Sequence, residues 1–434
     1  MSQSNEEKLP LSRRRFLSSG IMAAAATGLS AHGAPPIVGA ANRDETVSRN
    51  AIEPFYDEHQ AGILTPAQQN SYFAAFDVFA EKREDVVQML KAWTAAAARM
   101  SRGQAVEPFE NDVTVYTPDS GETLGLPPAR LTITFGFGPG LFVKDGQDRY
   151  GLAARRPAAL IDLPRFAGDE LVEAHTGGDL SVQACADNPQ VAFHAVRQLG
   201  RLAYGTAKIR WVQSGFLPND SGKQTPRNLM GFKDGTNNPL ANDPKLTNEF
   251  VWVGDEGPDW MRGGSYMVAR RVRMALERWD RMTTTFQEQT VGRHKDSGAP
   301  LGKKHEFDKA DYAATDDGGN PTIPENSHIR LGAAVNNEGA QILRRPYSYN
   351  EGANVAAQRW PPSRNEMEFD AGLFFVCYQR DPRTGFVKIF EQMSKSDMMH
   401  QFLTHTGSGL FACPGGVREG EFIGQRLFEK TKGV

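Results

Sequence analysis

The chain has 434 residues, of which 39% are hydrophobic and 23% charged, a composition typical of a globular protein with room for two domains. Its 49 basic and 52 acidic side chains leave a formal net charge of −3, so there is no general basic field to hold nucleic acid or an anionic membrane. We therefore expect no nucleic-acid partner.

The first 40 residues predict a targeting segment. The arginine run at 13–15 precedes a weakly apolar stretch of 13 residues at 19–31, which is the pattern of a twin-arginine signal. A helix needs about 20 residues to span a bilayer, so we expect no stable membrane anchor. Residues 38–40 are small where a signal peptidase requires it, which predicts cleavage near Ala40 and a periplasmic mature protein; a disordered basic tail is the alternative reading.

Cysteine usage narrows the choice of cofactor. Because the twin-arginine route exports folded proteins, a tightly held non-covalent cofactor can be acquired before export. Cys185, Cys377 and Cys413 are an odd number at wide spacing, without a C-x-x-C or C-x-x-C-H motif. This disfavours covalent haem, a zinc ribbon and a disulfide framework, and predicts buried apolar thiols.

Four segments along the mature chain combine a strand with a following amphipathic helix. Each half of the chain contains two of them, at 70–78 with 83–100, 180–186 with 190–203, 265–272 with 276–282, and 371–379 with 386–393. Shorter strands such as 130–135 alternate in polarity, which favours antiparallel sheets with one covered face. The pattern therefore predicts an α+β fold that arose by duplication of one unit.

Two irregular segments interrupt this pattern. Turn formers cluster at 213–225, which predicts an N-terminal domain over 41–218 and a C-terminal domain over 219–434. Residues 292–327 are rich in Gly, Pro, Asp and Lys, and irregular loops of this length tend to be functional or disordered. The stretch 136–140 lacks the spacing of a phosphate-binding loop and contains a proline, so we expect a backbone turn there.

The most specific stretch in the chain is Gly231 to Pro239, with the sequence GFKDGTNNP. Asp234 lies between glycines, and Gly235 permits a close approach to a ligand, although such a string alone is more often a plain turn. His328 directly follows the long irregular loop, and Arg344 comes 16 residues later. A haem peroxidase needs an imidazole on iron and, opposite it, an acid–base group and a cation.

Taken together, these features resemble the dye-decolorizing (DyP-type) peroxidases, most closely the exported EfeB-like deferrochelatase/peroxidase branch. The resemblance covers nearly the whole mature chain and extends to EHQAGI at 58–63, GFGP at 136–139, GRHK at 292–295, the arginine pair at 344–345 and GLFFVCYQ at 372–379. It implies two ferredoxin-like domains with antiparallel sheets. It also implies one non-covalent haem b per chain, held mainly by the C-terminal domain.

The resemblance also implies roles for individual residues. His328 is expected to be the proximal iron ligand, Asp234 the distal acid–base group and Arg344 the distal arginine. The haem edge is expected to be lined by the three residues that follow Asp234, namely Gly235, Thr236 and Asn237. These residues define the catalytic and cofactor-binding site expected in the C-terminal domain.

Further cofactor contacts follow from the same resemblance. A haem propionate is expected to meet Arg293, with His294 as the alternative. Asp397 is the candidate acceptor for the second ring N–H of His328, with an ordinary surface or capping aspartate as the alternative. The arginine that often follows the proximal histidine in the family is missing at 332–337, so Arg330 or the backbone of Ala333, Ala334 and Val335 is expected to take part.

A second departure is Pro346, which stands where the family has glycine and removes an amide donor beside Arg344. The sequence assigns no catalytic or metal-binding role to the other histidines. His400 and His405 are off the spacing of a helical metal pair, and solvated or core roles are expected for the remaining ones, which lack ligand partners in the pattern: His175, His194 and His305.

The predicted function is a haem b peroxidase that uses hydrogen peroxide to oxidise dyes, phenols or iron(II), and that acts as a homodimer. The rival is a periplasmic haem-binding protein for iron supply, which extracts iron from haem or oxidises iron(II) for an uptake permease. Both need the same pocket. A haem-free, ferredoxin-like structural protein is the third hypothesis.

Overall fold

The computed structural model describes residues 50–109, 117–218, 224–357 and 365–429. The predicted targeting segment and part of the predicted domain boundary, 219–223, lie outside the described residues. The strands are β1 Asn70–Val78, β2 Thr132–Phe137, β3 Leu180–Ala186, β4 Ala207–Phe216, β5 Ser265–Met274, β6 Leu343–Arg344, β7 Tyr347–Ala357, β8 Asn365–Gln379 and β9 Leu403–Cys413.

The α-helices range from one turn to five. They are α1 Arg83–Met100, α2 Pro139–Phe142, α3 Pro189–Leu202, α4 Pro244–Phe250, α5 Leu276–Trp279, α6 Thr284–Val291, α7 His328–Leu331, α8 Lys388–Ser396 and α9 Gln425–Phe428. Two short 3₁₀ turns matter for the site, Ala334–Asn336 and Met398–Gln401. In these parts of the chain, no helix combines the length and the apolar character needed to cross a membrane.

Each half of the chain contributes a four-stranded antiparallel sheet, and the two join edge to edge into one continuous sheet, with β6 as the ninth strand beside β8. The first half runs β1-α1-β2-β3-α3-β4 with the strand order β2-β3-β1-β4, and the second runs β5-β7-β8-α8-β9 with the order β9-β5-β8-β7. Both are the ferredoxin-like arrangement, with the first and third strands in the centre. The predicted α+β fold with duplicated ferredoxin-like units is confirmed.

The two sheets pack face to face around a shared apolar core. Alternate residues of the central strands point into it, so that Phe73 of β1 contacts Phe374 of β8 and Phe411 of β9 at ring distances of 5.2 and 6.0 Å. At their edges, the two sheets pair through Phe137 with Ala412 and through Phe216 with Ser348. The segment before β3 adds the backbone pairs Asp169 with His405 and Thr176 with Ser408 of β9. Backbone pairing and side-chain packing therefore both hold the halves together.

The outer face of the second sheet supports the Gly231–Pro239 stretch. Phe232 is buried against Trp279, with ring centroids 6.1 Å apart, and the Trp279 indole N–H donates to the Met230 carbonyl at 3.0 Å. Burying two large aromatic side chains in one small cluster stabilises this loop by a few kcal/mol, at roughly 1.5–3 kcal/mol for each large side chain. The residues after Phe232 are thereby fixed over the sheet.

Two local predictions were wrong. The helix expected at 276–282 ends at Trp279, because Thr283 caps the next helix by accepting from the Phe286 N–H at 3.2 Å. The turn expected at 136–140 is instead the end of β2 and the start of α2. This position in the sheet requires glycine, because a Cβ at Gly136 would lie only 2.7 Å from the Cβ of Phe411. The three cysteines are free and buried, as predicted.

Candidate active site

Asp234 and Arg344 form the first charged pair of the site. The Arg344 Nη1 donates to Asp234 Oδ1 at 2.8 Å, and both side chains are half-buried. The main chain of Asp234 is fixed by its N–H, which donates to the Pro226 carbonyl at 2.8 Å. The expected distal carboxylate and distal arginine therefore lie side by side, although 110 residues separate them in the sequence.

Asn238 fixes the main chain of Arg344 and was missed by the sequence reasoning. Its Nδ2 donates to the Arg344 carbonyl at 2.7 Å, and its Oδ1 accepts from the Arg344 N–H at 3.1 Å. The carboxamide thus mimics one step of strand pairing at the edge of the two-residue strand β6. Its place in the Gly231–Pro239 stretch was the available signal.

His328 and Asp397 form the second charged pair. Asp397 Oδ2 lies 2.7 Å from His328 Nδ1, while Oδ1 accepts from the Met399 N–H at 2.8 Å and so caps a 3₁₀ turn. Both roles considered for Asp397 are therefore present. The Asp397 side chain is 0% exposed but that of His328 is 35% exposed, so one edge of the imidazole faces open space. With Nδ1 engaged, Nε2 is the nitrogen left for a metal.

The two pairs influence each other electrostatically. Burial lowers the pKa of His328, but the charge of the Asp397 carboxylate and its hydrogen bond raise it, and the net pKa lies above the ordinary value. Asp234 raises the same pKa further and Arg344 lowers it. Because both side chains change the pKa of His328, the Asp234–Arg344 pair lies within electrostatic reach of the imidazole.

The long irregular segment closes over the Asp234 loop. Residues 292–327, all of which the structure describes, form no regular helix or strand, as the sequence predicted. Glu306 forms an ion pair with Lys233 and accepts from Thr236 Oγ1 at 3.0 Å. The Arg227 guanidinium donates to the Asp296 carbonyl at 2.6 Å. These contacts hold the segment against the residues on both sides of Asp234.

Arg293 and His294 differ in their surroundings. Arg293 Nη1 donates to the carbonyls of Gly298 and Glu306 at 2.6 and 2.9 Å. Burial lowers the pKa of Arg293, and nearby Arg344 lowers it further, so the two guanidiniums share one region. His294 Nδ1 instead lies 3.1 Å from Glu288 Oε2. Arg293 is thus the better placed of the two for an anion near Arg344.

The other residues expected to contact the cofactor differ in their exposure and in their polar contacts. Gly235 has φ +120°, and a Cβ added there would meet only Thr225 Cγ2 at 3.8 Å. Asn237 is exposed, Ala333 is buried, Ala334 is intermediate and Val335 is 74% exposed. Arg330 donates to the Ile323 carbonyl at 2.9 Å, with its guanidinium 6.0 Å from the Tyr312 ring. Only the main chain of 333–335 is suited to a polar contact.

Cavity volume does not identify the site. Two surface cavities, of about 610 and 600 Å³, are lined by other residues and include neither Asp234 nor His328. The first lies between α1 and the C-terminal helix α9, and the second lies beside the stacked rings of His59 and Trp252. These two cavities therefore lie outside the candidate active site, which the charged pairs define.

The chain is similar to known proteins over most of its length. Two family models match, Dyp-type peroxidase, N-terminal, over 60–217 and Dyp-type peroxidase, C-terminal, over 225–418. A deferrochelatase of Escherichia coli O157:H7 is 36% identical over 427 residues, which covers 96% of each chain.

Solved structures are similar over most of the chain as well. An oxyferrous/water mixed complex of DtpA from Streptomyces lividans has a TM-score of 0.78 at 38% identity, covering 88% of this chain and 98% of that one. A DyP-type peroxidase from Streptomyces coelicolor has a TM-score of 0.77 at 38% identity, with the same coverage. A haem complex of a DypB variant from Rhodococcus jostii shares the fold at 22% identity and a TM-score of 0.58, covering 85% of this chain and 97% of that one.

Proposed function

This chain belongs to the Dyp-type peroxidase family of haem enzymes, and on that premise we propose that its reaction with hydrogen peroxide takes place between His328 and the Asp234–Arg344 pair. One observation supports this proposal above the others. An imidazole backed by a buried carboxylate lies within electrostatic reach of a second carboxylate that is paired with a guanidinium.

The residues present fit a haem group. His328 Nε2 is free to coordinate iron, because Asp397 accepts the proton on Nδ1. The half-buried Arg293 supplies a cation for a propionate near Arg344, and Gly235 leaves open space where a side chain would stand. We propose one non-covalent haem b per chain. Its propionates would be held by Arg293 and by the main chain of 333–335.

The bound haem would supply an iron centre that activates peroxide and stores oxidising equivalents. Asp234, as a carboxylate, accepts a proton from hydrogen peroxide and returns it to the departing oxygen, which leaves as water. Arg344 stabilises the negative charge that develops as the O–O bond breaks, a contribution worth about 100-fold or more in rate for a well-placed donor. Asp397 keeps the proton on Nδ1 of His328 throughout.

The variants Asp234→Ala and Arg344→Ala test these roles. Each should retain haem but react with peroxide at least about 100-fold more slowly, whereas His328→Ala should lose or strongly alter the Soret band. The exposed ion pair of Asp255 and Arg262, 3.0 Å apart, supplies matched controls, Asp255→Ala and Arg262→Ala. Unchanged peroxide kinetics in either site variant would refute the corresponding role.

A pH profile tests the carboxylate mechanism separately. Carboxylic acids in general ionise at lower pH than imidazoles, so a carboxylate base predicts dye oxidation that persists below about pH 6, unlike the activity of a peroxidase that relies on histidine as base. An optimum above neutrality with collapse on the acid side would contradict Asp234 as the base.

The second candidate function is iron supply, which the similarity to a deferrochelatase supports. In that case the chain would remove iron from haem, or oxidise iron(II) for an uptake permease. Incubation with haem, followed by chromatography of intact porphyrin and by assay of released iron, separates this function from peroxide-driven oxidation of dyes or phenols. Metal-free porphyrin without added peroxide would favour iron removal.

Cellular placement and assembly belong to the same proposal. We expect export by the twin-arginine route with cleavage near Ala40, a periplasmic location, and a homodimer of chains with domains over 41–218 and 219–434. Sequencing the amino terminus of the exported protein and measuring its mass in solution test these points directly.

A further inference from the structure

A cluster of three potential metal ligands lies in the N-terminal half, outside the peroxidase site. Asp119 and Glu122 belong to the segment between α1 and β2, and His194 lies on α3. Within the described parts of the chain, these three residues form the one such group with a ligand atom from each member, all within 4.8 Å of one another. The sequence predicted only a solvated or core role for His194.

The imidazole of His194 is the unusual member. Its side chain is 3% exposed, and neither ring nitrogen has a hydrogen-bond partner of acceptable geometry. Nε2 lies 3.4 Å from Asp119 Oδ2, and Nδ1 lies 3.2 Å from Glu122 Oε1. Charge-assisted hydrogen bonds between a protonated imidazole and carboxylates are shorter, at about 2.7–2.9 Å. An unsatisfied buried polar group costs about 1–3 kcal/mol, so these contacts require another explanation.

Only one ring nitrogen can bind a given ion, because the two nitrogens of an imidazole point in different directions. One ligand atom from each of the three residues lies within 4.8 Å of the other two. Ligand atoms of one tetrahedral ion lie about 3.4 Å apart when the metal–ligand bonds are about 2.1 Å long, so the cluster would tighten by up to about 1.4 Å around an ion. The buried imidazole without a hydrogen-bond partner, between two carboxylates, is therefore available as a metal ligand.

The carboxylates are held in place by other groups. Asp119 is buried and accepts from the backbone N–H of Val106 at 2.8 Å and from that of Gly121 at 2.7 Å. Glu122 Oε2 accepts from the Ser120 hydroxyl. Such supporting contacts orient metal ligands.

We propose that Asp119, Glu122 and His194 form a binding site for a first-row divalent cation that prefers mixed nitrogen and oxygen ligands, such as Zn²⁺ or Mn²⁺. Two carboxylates balance the charge of the ion, and the imidazole favours these metals over Mg²⁺ and Ca²⁺. The Arg197 guanidinium lies 3.1 Å from Glu122 Oε1 and is 48% exposed. It competes with the metal for this oxygen and has room to turn into solvent.

Zinc binding by the untagged, haem-loaded protein tests the proposal. After equilibrium dialysis against Zn²⁺, elemental analysis should give one zinc ion per chain, with the iron content unchanged. His194→Ala should bind zinc at least about tenfold more weakly. His305→Ala, which removes an exposed histidine, should bind like the wild type. Arg197→Ala should bind zinc more tightly, because it removes the competing cation.

Glu122→Gln tests the site at its more exposed edge, in case His194→Ala does not fold. Its circular dichroism and Soret band report on folding, and it should also bind zinc at least about tenfold more weakly. The proposal would be overturned if the wild type retained neither zinc nor manganese, or if both His194→Ala and Glu122→Gln bound the ion with wild-type affinity. Dialysis against Mn²⁺, followed by electron paramagnetic resonance, identifies which ion the site prefers.

Discussion

Asn238→Ala would remove both hydrogen bonds that fix the main chain of Arg344. A net contribution of about 0.5–1.5 kcal/mol for each bond amounts to about 1–3 kcal/mol for the pair of bonds at 2.7 and 3.1 Å. If the arginine must regain its position before it can stabilise the breaking O–O bond, that free energy is added to the activation barrier. We therefore expect a reaction with peroxide that is about 5- to 150-fold slower, at about 1.4 kcal/mol per tenfold.

Stopped-flow measurement of the Soret change after mixing with peroxide gives this second-order rate constant. Haem affinity should stay within about twofold of the wild-type value, since Asn238 does not act through His328. Asn242→Ala, an exposed asparagine four positions further on, is the control. If the variant lost stability by the predicted amount but reacted with peroxide at the wild-type rate, Asn238 would have only a structural role and the reasoning would be refuted.

Three further predictions concern the supporting contacts. Asp397→Ala should weaken haem binding by about 10- to 100-fold in a Soret titration, because it removes the partner of His328 Nδ1; an unchanged affinity would contradict this role. Because the pKa of Glu122 is lowered to about 2 in the folded protein, its contribution to stability is present above the ordinary value near 4.5 and is lost as the pH falls towards 2. Glu122→Gln should abolish this contribution to the pH dependence of the free energy of unfolding, measured with urea. An unaltered pH dependence would contradict the lowered pKa of Glu122. Glu306→Gln should weaken the ion pair with Lys233 and speed proteolysis within 292–327; equal cleavage rates would show that other contacts hold the segment.

Periodicity predicted the regular elements because their side chains alternate between a core and solvent. β1, β3 and α1 lie where the sequence placed them. Elements set by local capping were less predictable: α5 stops at Trp279 because Thr283 caps the next helix.

The motifs identified Asp234 and Arg344 as candidate site residues, but they do not predict contacts between segments that are distant in the sequence. The Asp234–Arg344 contact agrees with the roles that the motifs imply. In contrast, the motif that contains Asn238 does not reveal that its side chain contacts the main chain of Arg344. The same holds for His194, whose neighbours Asp119 and Glu122 approach it only when α3 packs beside the preceding segment.

The face-to-face packing of the two sheets bears on how the chain can be divided. A fragment restricted to either half would expose the aromatic layer formed by Phe73, Phe374 and Phe411. It would also lose the backbone pairing between residues 169–177 and β9. Half-length versions should therefore aggregate when made alone. Co-expression of both fragments, by contrast, should give a soluble complementation pair.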